Sequence, residues 1–97
     1  MIKVHAIGGY NEVGRNMTGL QIDNDVILFD CGFYLPPIVG AQESEKERGF
    51  TEKRLRSMDA VPDDLVLDKL GLRDKVRAIL ISHAHLDHVG ALPYLAY

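Results

Sequence analysis

The chain has 97 residues, of which 46% are hydrophobic and 26% are charged, and its formal net charge is −3 at pH 7. Its length allows one hydrophobic core, and its composition is ordinary for a soluble globular protein, which argues against a disordered chain or a fibre. The acidic balance argues against a generic nucleic-acid-binding surface rich in Lys and Arg, and no apolar run approaches the roughly 20 residues that a membrane span needs.

The first third of the chain predicts three β-strands. Met1–Ile7 is rich in β-forming residues and stops at a glycine pair. Met17–Ile22 and Val26–Phe29 are separated by Asp23-Asn24-Asp25, which favours a turn and therefore a hairpin. Asp30 and the single Cys31 follow the third strand directly. Because a lone cysteine cannot form an intrachain disulfide, a reducing, cytoplasmic compartment is expected.

The loop Gly9–Asn16 nearly has the spacing of a phosphate-binding loop, G-x-x-x-x-G-K-[ST]. Arg15 and Asn16 stand where that motif has its lysine and its hydroxyl residue, and a strand follows instead of a helix, so the motif is rejected. Two interpretations stay open. The loop contacts substrate through its amides, Arg15 or Asn16, or it is a connecting turn that needs glycine.

The middle of the chain gives weaker signals. Gly32–Gly40 contains two prolines and is predicted to be an irregular loop. Gln42–Asp59 carries five acidic and five basic residues, which indicates either a solvated helix or a mobile loop broken at Gly49. Leu65–Leu72 is predicted to form one short helix that ends near Gly71.

The last third contains the clearest strand. Val76–Ile81 is almost entirely apolar, which is typical of a strand covered on both faces of a sheet. Its carboxyl end leads into Ser82 and a group of histidines, at the edge where α/β sheets place their sites. Leu92–Tyr97 is predicted to begin a helix, since Pro93 suits a first helical turn.

Four potential metal ligands lie within six residues, namely His83, His85, Asp87 and His88. A single histidine is seldom a ligand, but this density after an apolar strand favours a metal site. His83 and His85 point to one side of an extended segment and can hold one ion, while Asp87 and His88 face a second. Imidazole and carboxylate donors suit Zn²⁺, with Mn²⁺ or iron as substitutes. Two such ions can activate a water and clamp a phosphoryl or carbonyl oxygen, as hydrolases require.

The string His83-Ala84-His85-Leu86-Asp87-His88 matches the H-x-H-x-D-H signature and thereby resembles the metallo-β-lactamase superfamily. The wider string ISHAHLDHVGALPYL, from Ile81, and the opening GGYNEVGRNM, from Gly8, are similar to the β-CASP ribonucleases of that superfamily, the ribonuclease J type and its archaeal members in particular. The similarity covers both ends of the chain and leaves residues 36–60 unplaced.

The resemblance implies an α/β fold, with residues 1–97 as the amino-terminal part of the αββα metallo-β-lactamase sandwich, a mixed β-sheet with helices. The later ligand motifs and the β-CASP domain are expected downstream. His83 and His85 are implied to bind one zinc, and Asp87 and His88 the other, with Asp87 also holding the reactive water. Asp30 matches the family's first motif and is expected to orient a ligand; the alternative is a carboxylate that only caps a turn.

The resemblance further implies a zinc-dependent ribonuclease that degrades RNA by 5′-to-3′ exonucleolytic or endonucleolytic cleavage. RNA, the remainder of the polypeptide and a second copy in a homodimer are the expected partners, with no membrane. Two alternatives stay open: a hydrolase of a small-molecule ester, thioester or lactam, because the motif serves the whole superfamily, and a non-catalytic assembly fragment. The isolated fragment is expected to be inactive.

Overall fold

A computed structural model of the chain describes residues 1–40 and 50–95. Its strands are β1 (Ile2–Gly8), β2 (Met17–Ile22), β3 (Asp25–Phe29) and β4 (Val76–Leu80). The helices within those ranges are α1 (Leu35–Val39), α2 (Glu52–Ser57), α3 (Val66–Lys69) and α4 (Leu86–Val89), and a 3₁₀ turn at Arg73–Lys75 precedes β4. The predicted α/β class, a mixed sheet with helices, is confirmed.

The four strands form one sheet in the order β1-β2-β3-β4. β1 and β3 run antiparallel to β2, with Thr18 opposite Phe29 and Ile22 opposite Asp25 in the predicted hairpin. Its turn places Asp23 at a φ of 53°, a left-handed conformation that aspartate tolerates. β4 pairs parallel to β3, with Phe29 opposite Leu80. The carboxyl ends of β3 and β4 therefore lie side by side.

One face of the sheet packs against the short helices. Val26 and Leu28 of β3 are fully buried there, in one cluster with Met17 and with Leu55 and Leu67 from α2 and α3. Asp64 is also fully buried and holds the helical layer together. Arg56 donates to it at 2.6 Å, and Arg73 donates to its other oxygen at 3.0 Å. Such pairing is what a buried carboxylate requires.

The opposite face of the sheet is apolar and exposed, and is called the outer face here. Its most exposed side chains belong to strands β1 to β4: Ile2, Val4, Ile22, Phe29 and Leu80, with 37–70% of their surface accessible. The prediction that β4 is covered on both faces is therefore wrong for the described residues, because their helices lie on one face only. The apolar residues of β4 therefore belong to a strand that the described residues bury on one face only.

The helices correct two further predictions and support a third. Gly32–Gly40 is not wholly irregular, because α1 begins at Leu35 and the first turn accepts Pro36 and Pro37 without losing a helical hydrogen bond. Residues 92–95 form turns and not the start of a helix, with Tyr94 and Leu95 both bonded back to Ala91. The predicted Leu65–Leu72 helix is present in shorter form as α3, and the chain turns at Gly71, with a φ of 68°.

The charge-dense segment is described only in its second half. Residues 42–49, with the proposed break at Gly49, lie outside the described residues, as do residues 96 and 97. Thr51 caps α2 by accepting from the amide of Arg54, and Leu55 is fully buried. This part is thus a helix with one fully buried side chain, and Phe50 and Met58 on either side of it also pack against the core. No described helix is long and apolar enough to cross a membrane.

We expect the isolated 97-residue chain to self-associate through its outer face, because exposed apolar sheet surface promotes association. Val4→Lys should reduce association by placing a charge on this face, where the valine is 66% exposed. Light scattering over a range of chain concentrations measures the effect.

Val13→Lys is the matched control, since Val13 is 87% exposed but lies in the loop before β2. It should leave association unchanged. A monodisperse monomer at every concentration for the unmodified chain would contradict the prediction.

Candidate metal centre

The predicted ligands lie where the paired strands β3 and β4 end. Asp30 follows Phe29 and donates its backbone amide to the carbonyl of Leu80 at 2.8 Å. This bond continues the parallel ladder by one residue beyond the strands. It brings the side chain of Asp30 next to Ser82, at the start of the histidine segment.

The segment of residues 31–33 holds α4 against this sheet edge. The amide of Cys31 donates to the carbonyl of His88, and that of Phe33 to the carbonyl of Leu86, both at 2.8 Å. Between them, a Cβ at Gly32 would lie 1.7 Å from the carbonyl oxygen of Asp87. Only glycine permits this close backbone approach, which fixes the turn carrying Asp87 and His88.

The loop Gly9–Asn16 also holds the turn that carries Asp87 and His88, through Asn16. The Asn16 side-chain amide donates to the carbonyl of Asp87 at 2.7 Å, and the amide of Gly32 donates to the carbonyl of Asn16 at 3.1 Å. Gly9 lies directly beneath the Asn16 side chain, because a Cβ there would be 2.3 Å from Asn16 Oδ1. The loop is therefore more than a connecting turn: it contacts the backbone of a predicted ligand.

Three of the four predicted ligands converge on one point. One donor atom each from His83, His85 and Asp87 lies within 4.8 Å of the others. Both histidines are exposed and Asp87 is half-buried, so the group is open to solvent. Two imidazole nitrogens and a carboxylate oxygen are a donor set that suits Zn²⁺ or Mn²⁺, so the residues fit the predicted metal.

His88 lies beside this group and outside it. Its ring centroid is 3.7 Å from that of His83, and its Nε2 is 3.6 Å from Oδ2 of Asp87. The carboxylate of Asp87 thus lies near His88 as well as near the donor atoms of His83 and His85. The assignment of His83 and His85 to one ion and of Asp87 and His88 to a second stays a prediction.

Asp30 orients the residues around it through both carboxylate oxygens. Oδ1 accepts the amide of Ser82 at 2.7 Å, and Oδ2 accepts the Ser82 hydroxyl at 2.9 Å. Oδ2 also lies 2.8 Å from Nδ1 of His88. The turn-capping alternative accounts for the amide contact alone, whereas the contact to His88 is the one expected of a residue that orients a ligand.

These contacts also set the ionisation of Asp30. Partial burial raises the pKa of its carboxyl group, but the hydrogen bonds from the Ser82 amide, from His88 and from the Ser82 hydroxyl together hold that pKa below its usual value. Asp30 is therefore an ionised acceptor at neutral pH.

The Arg15 side chain is hydrogen-bonded to protein groups that are not among the predicted metal ligands. Its Nε donates to Glu12 at 3.0 Å, and its Nη1 donates to the carbonyl of Asp59 at 3.2 Å. The guanidinium borders two clefts, of about 440 Å³ and 190 Å³, and neither is lined by a histidine. The hypothesis that Arg15 contacts substrate stays a prediction, since neither of these two clefts is lined by a predicted ligand.

Sequence reasoning missed two residues of this site. Asn16 was weighed only as a substrate contact, and nothing local could show its bond to Asp87, 71 residues away. For Ser82, the sequence predicts only that it follows the strand Val76–Ile81. Its place between an apolar strand and the first histidine was the available signal, but many exposed serines occupy such places.

Comparisons with known proteins agree with the family that the H-x-H-x-D-H string resembles. The profile of the metallo-beta-lactamase superfamily matches residues 10–97, which include every predicted ligand. The chain is similar to ribonuclease J of Pyrococcus abyssi, 40% identical over 96 residues, and of Methanocaldococcus jannaschii, 36% identical over 96 residues. The alignments cover 99% of this chain but 20% and 21% of those proteins. The chain thus spans about a fifth of the length of these curated relatives.

We predict that Asn16→Ala weakens metal binding by about fivefold, because one lost hydrogen bond of about 1 kcal/mol loosens the turn that carries Asp87. Isothermal titration of Zn²⁺ into the full-length protein measures this change. Asn11→Ala is the control, since Asn11 is exposed in the same loop and should leave affinity unchanged. Equal zinc affinity in the Asn16 variant and the wild type would show that the contact has no influence on the site.

Proposed function

This chain belongs to the metallo-beta-lactamase superfamily, and we propose that its histidine–aspartate cluster is part of the active site of a metal-dependent ribonuclease. The observation that carries the proposal is the convergence of donor atoms from His83, His85 and Asp87 within 4.8 Å. The names of the similar proteins, ribonuclease J of Pyrococcus abyssi and of Methanocaldococcus jannaschii, support RNA as the substrate class.

We propose two Zn²⁺ ions as the cofactor, with Mn²⁺ as a substitute. His83 and His85 hold one ion, and Asp87 and His88 hold the second. When bound, such ions activate water for attack and offset charge on the phosphoryl oxygens. Asp87 would also orient the water, while Asp30 orients His88 by accepting a hydrogen bond from Nδ1 at Oδ2.

The proposed substrate is RNA, cut at a phosphodiester by 5′-to-3′ exonucleolytic or endonucleolytic hydrolysis. The net charge of −3 means that the chain offers no general attraction for a polyanion, so the phosphate must be held by local groups. The exposed His83 and His85 leave the cluster accessible to a large substrate.

We also propose that the active enzyme needs the remainder of the polypeptide. The chain spans about a fifth of its relatives, its outer face is apolar and exposed, and four side chains are few protein ligands for two ions. The fragment alone is therefore expected to lack activity. The homodimer and the cytoplasmic location stay predictions; the buried, single Cys31 is in keeping with a reducing compartment.

A hydrolase of a small-molecule ester, thioester or lactam is the competing function, since the superfamily match alone does not fix the substrate. Assaying the full-length protein with 5′-monophosphorylated RNA, a thioester and a chromogenic lactam separates the candidates. Turnover of the RNA alone supports the ribonuclease. Turnover of a small substrate without RNA cleavage would replace it, and no turnover of any substrate would favour the assembly role.

We predict that His83→Ala or His85→Ala in the full-length protein lowers RNA hydrolysis by at least about 100-fold, because each removes a donor that positions the metal. Both side chains are exposed, so circular dichroism and thermal unfolding should change little. Single-turnover cleavage of labelled RNA measures the loss.

His5→Ala is the matched control. His5 lies in β1, where its Nε2 is 2.9 Å from Oε1 of Gln21, and its removal should leave RNA hydrolysis near the wild-type rate. Near wild-type hydrolysis in both His83 and His85 variants would refute the assignment of the metal site.

A further inference from the structure

We propose that Ser82 is a positioning residue that holds the proton of His83 on Nδ1 and so keeps Nε2 of that ring free to bind metal. The proposal rests on the metal site of the proposed function and deepens it. It concerns a residue outside the ligand motif, and it follows from a count of donors and acceptors around one hydroxyl group.

The Ser82 hydroxyl lies at the centre of three polar groups. Its oxygen is 2.9 Å from Oδ2 of Asp30, 3.0 Å from Nδ1 of His83 and 3.2 Å from Nδ1 of His88. The backbone amide of Ser82 donates separately to Oδ1 of Asp30 at 2.7 Å. The amide contact fixes where the residue lies, and the hydroxyl connects the two histidine rings to the carboxylate.

The protons can be assigned from this arrangement. A carboxylate only accepts, so the short contact between Oδ2 of Asp30 and Nδ1 of His88 requires a hydrogen on that nitrogen. Ser82 has one hydroxyl proton, and a carboxylate is a stronger acceptor than a neutral imidazole nitrogen. The hydroxyl therefore donates to Asp30, and its lone pairs accept from Nδ1–H of His83.

One carboxylate thereby sets the tautomer of two rings. Asp30 acts directly on His88 and through the Ser82 hydroxyl on His83, and in both rings Nε2 is left with its lone pair. A ring nitrogen must be unprotonated to bind metal, and the bond made by the other nitrogen determines which one it is. Without the hydroxyl, the described residues give Nδ1 of His83 no hydrogen-bond partner, and its proton can move to Nε2.

Ser82→Ala isolates this effect. It removes the three hydroxyl contacts and keeps the backbone bond to Asp30, and the residue is exposed, so no cavity is created. Ser82→Thr retains the hydroxyl. Ser57→Ala is the matched control, because the Ser57 hydroxyl donates to the carbonyl of Arg54 on α2, outside the site.

The experiment uses the full-length protein, labelled with ¹⁵N-histidine, metal-free and at about pH 8, where imidazoles are mostly neutral. Long-range ¹H–¹⁵N NMR reports the protonated nitrogen of each ring, and His83→Gln identifies the His83 signals. Ser82→Ala should shift His83 towards the Nε2–H form and leave His88 in the Nδ1–H form. Zinc affinity measured by calorimetry should fall by about 10–100-fold, the usual effect of losing a ligand's hydrogen-bond partner.

Ser82→Thr should restore both the His83 signal and the zinc affinity, and Ser57→Ala should change neither. An unchanged His83 tautomer in Ser82→Ala, or zinc affinity equal to that of the wild type, would overturn the proposal. These readouts need no RNA. A failure of RNA hydrolysis in the wild type would count against the proposed function alone, while cleavage of RNA with an unchanged tautomer would count against the role of Ser82 alone.

Discussion

The carboxylate of Asp30 joins the end of β3 to two groups that lie 52 and 58 residues later in the chain. Asp30 follows β3, Ser82 follows β4, and His88 belongs to α4, and the two oxygens of Asp30 contact both residues. Hydrogen bonds to a charged group are worth about 1.5–3 kcal/mol each, so this carboxylate contributes on the order of several kcal/mol to local order. Every predicted ligand lies within five residues of Ser82 or on α4, and its position depends on this junction.

The junction is made at a backbone cost. Asp30 has a φ of 67°, and the left-handed region costs roughly 1–2 kcal/mol for most residues but less for aspartate. That cost is smaller than the sum of the charged hydrogen bonds, so the conformation is stable. Gly32 also depends on its neighbours, because the absence of a Cβ leaves room for the carbonyl of Asp87. The unusual backbone conformation at Asp30 and the close backbone approach at Gly32 are stable because the contacts around the metal site hold them in place.

Local patterns in the sequence were enough to predict the strands, the hairpin and the ligand cluster. Two runs of β-forming residues separated by the turn at Asp23 predict β2 and β3, and the four ligands are neighbours in the chain. The contact between Asn16 and Asp87 and the exposure of Leu80 could not be predicted, since both depend on how distant segments pack. The helix at Leu35 was missed for another reason: two prolines usually exclude a helix, yet a first turn accepts them.

The outer face and the metal site belong to the same two strands. Phe29 and Leu80, opposite each other in β3 and β4, are 37% and 49% exposed on that face, and Asp30 follows the first directly while Ser82 follows the second by two residues. Full burial of an exposed side chain of this size stabilises by about 1.5–3 kcal/mol, and covering the surface that remains exposed here would contribute a part of that. This free energy would stabilise β3 and β4, whose ends lead into Asp30 and Ser82. Packing on the outer face would therefore also restrain the groups that orient His83 and His88. The site and the sheet face therefore share β3 and β4, whose ends lead into Asp30 and Ser82.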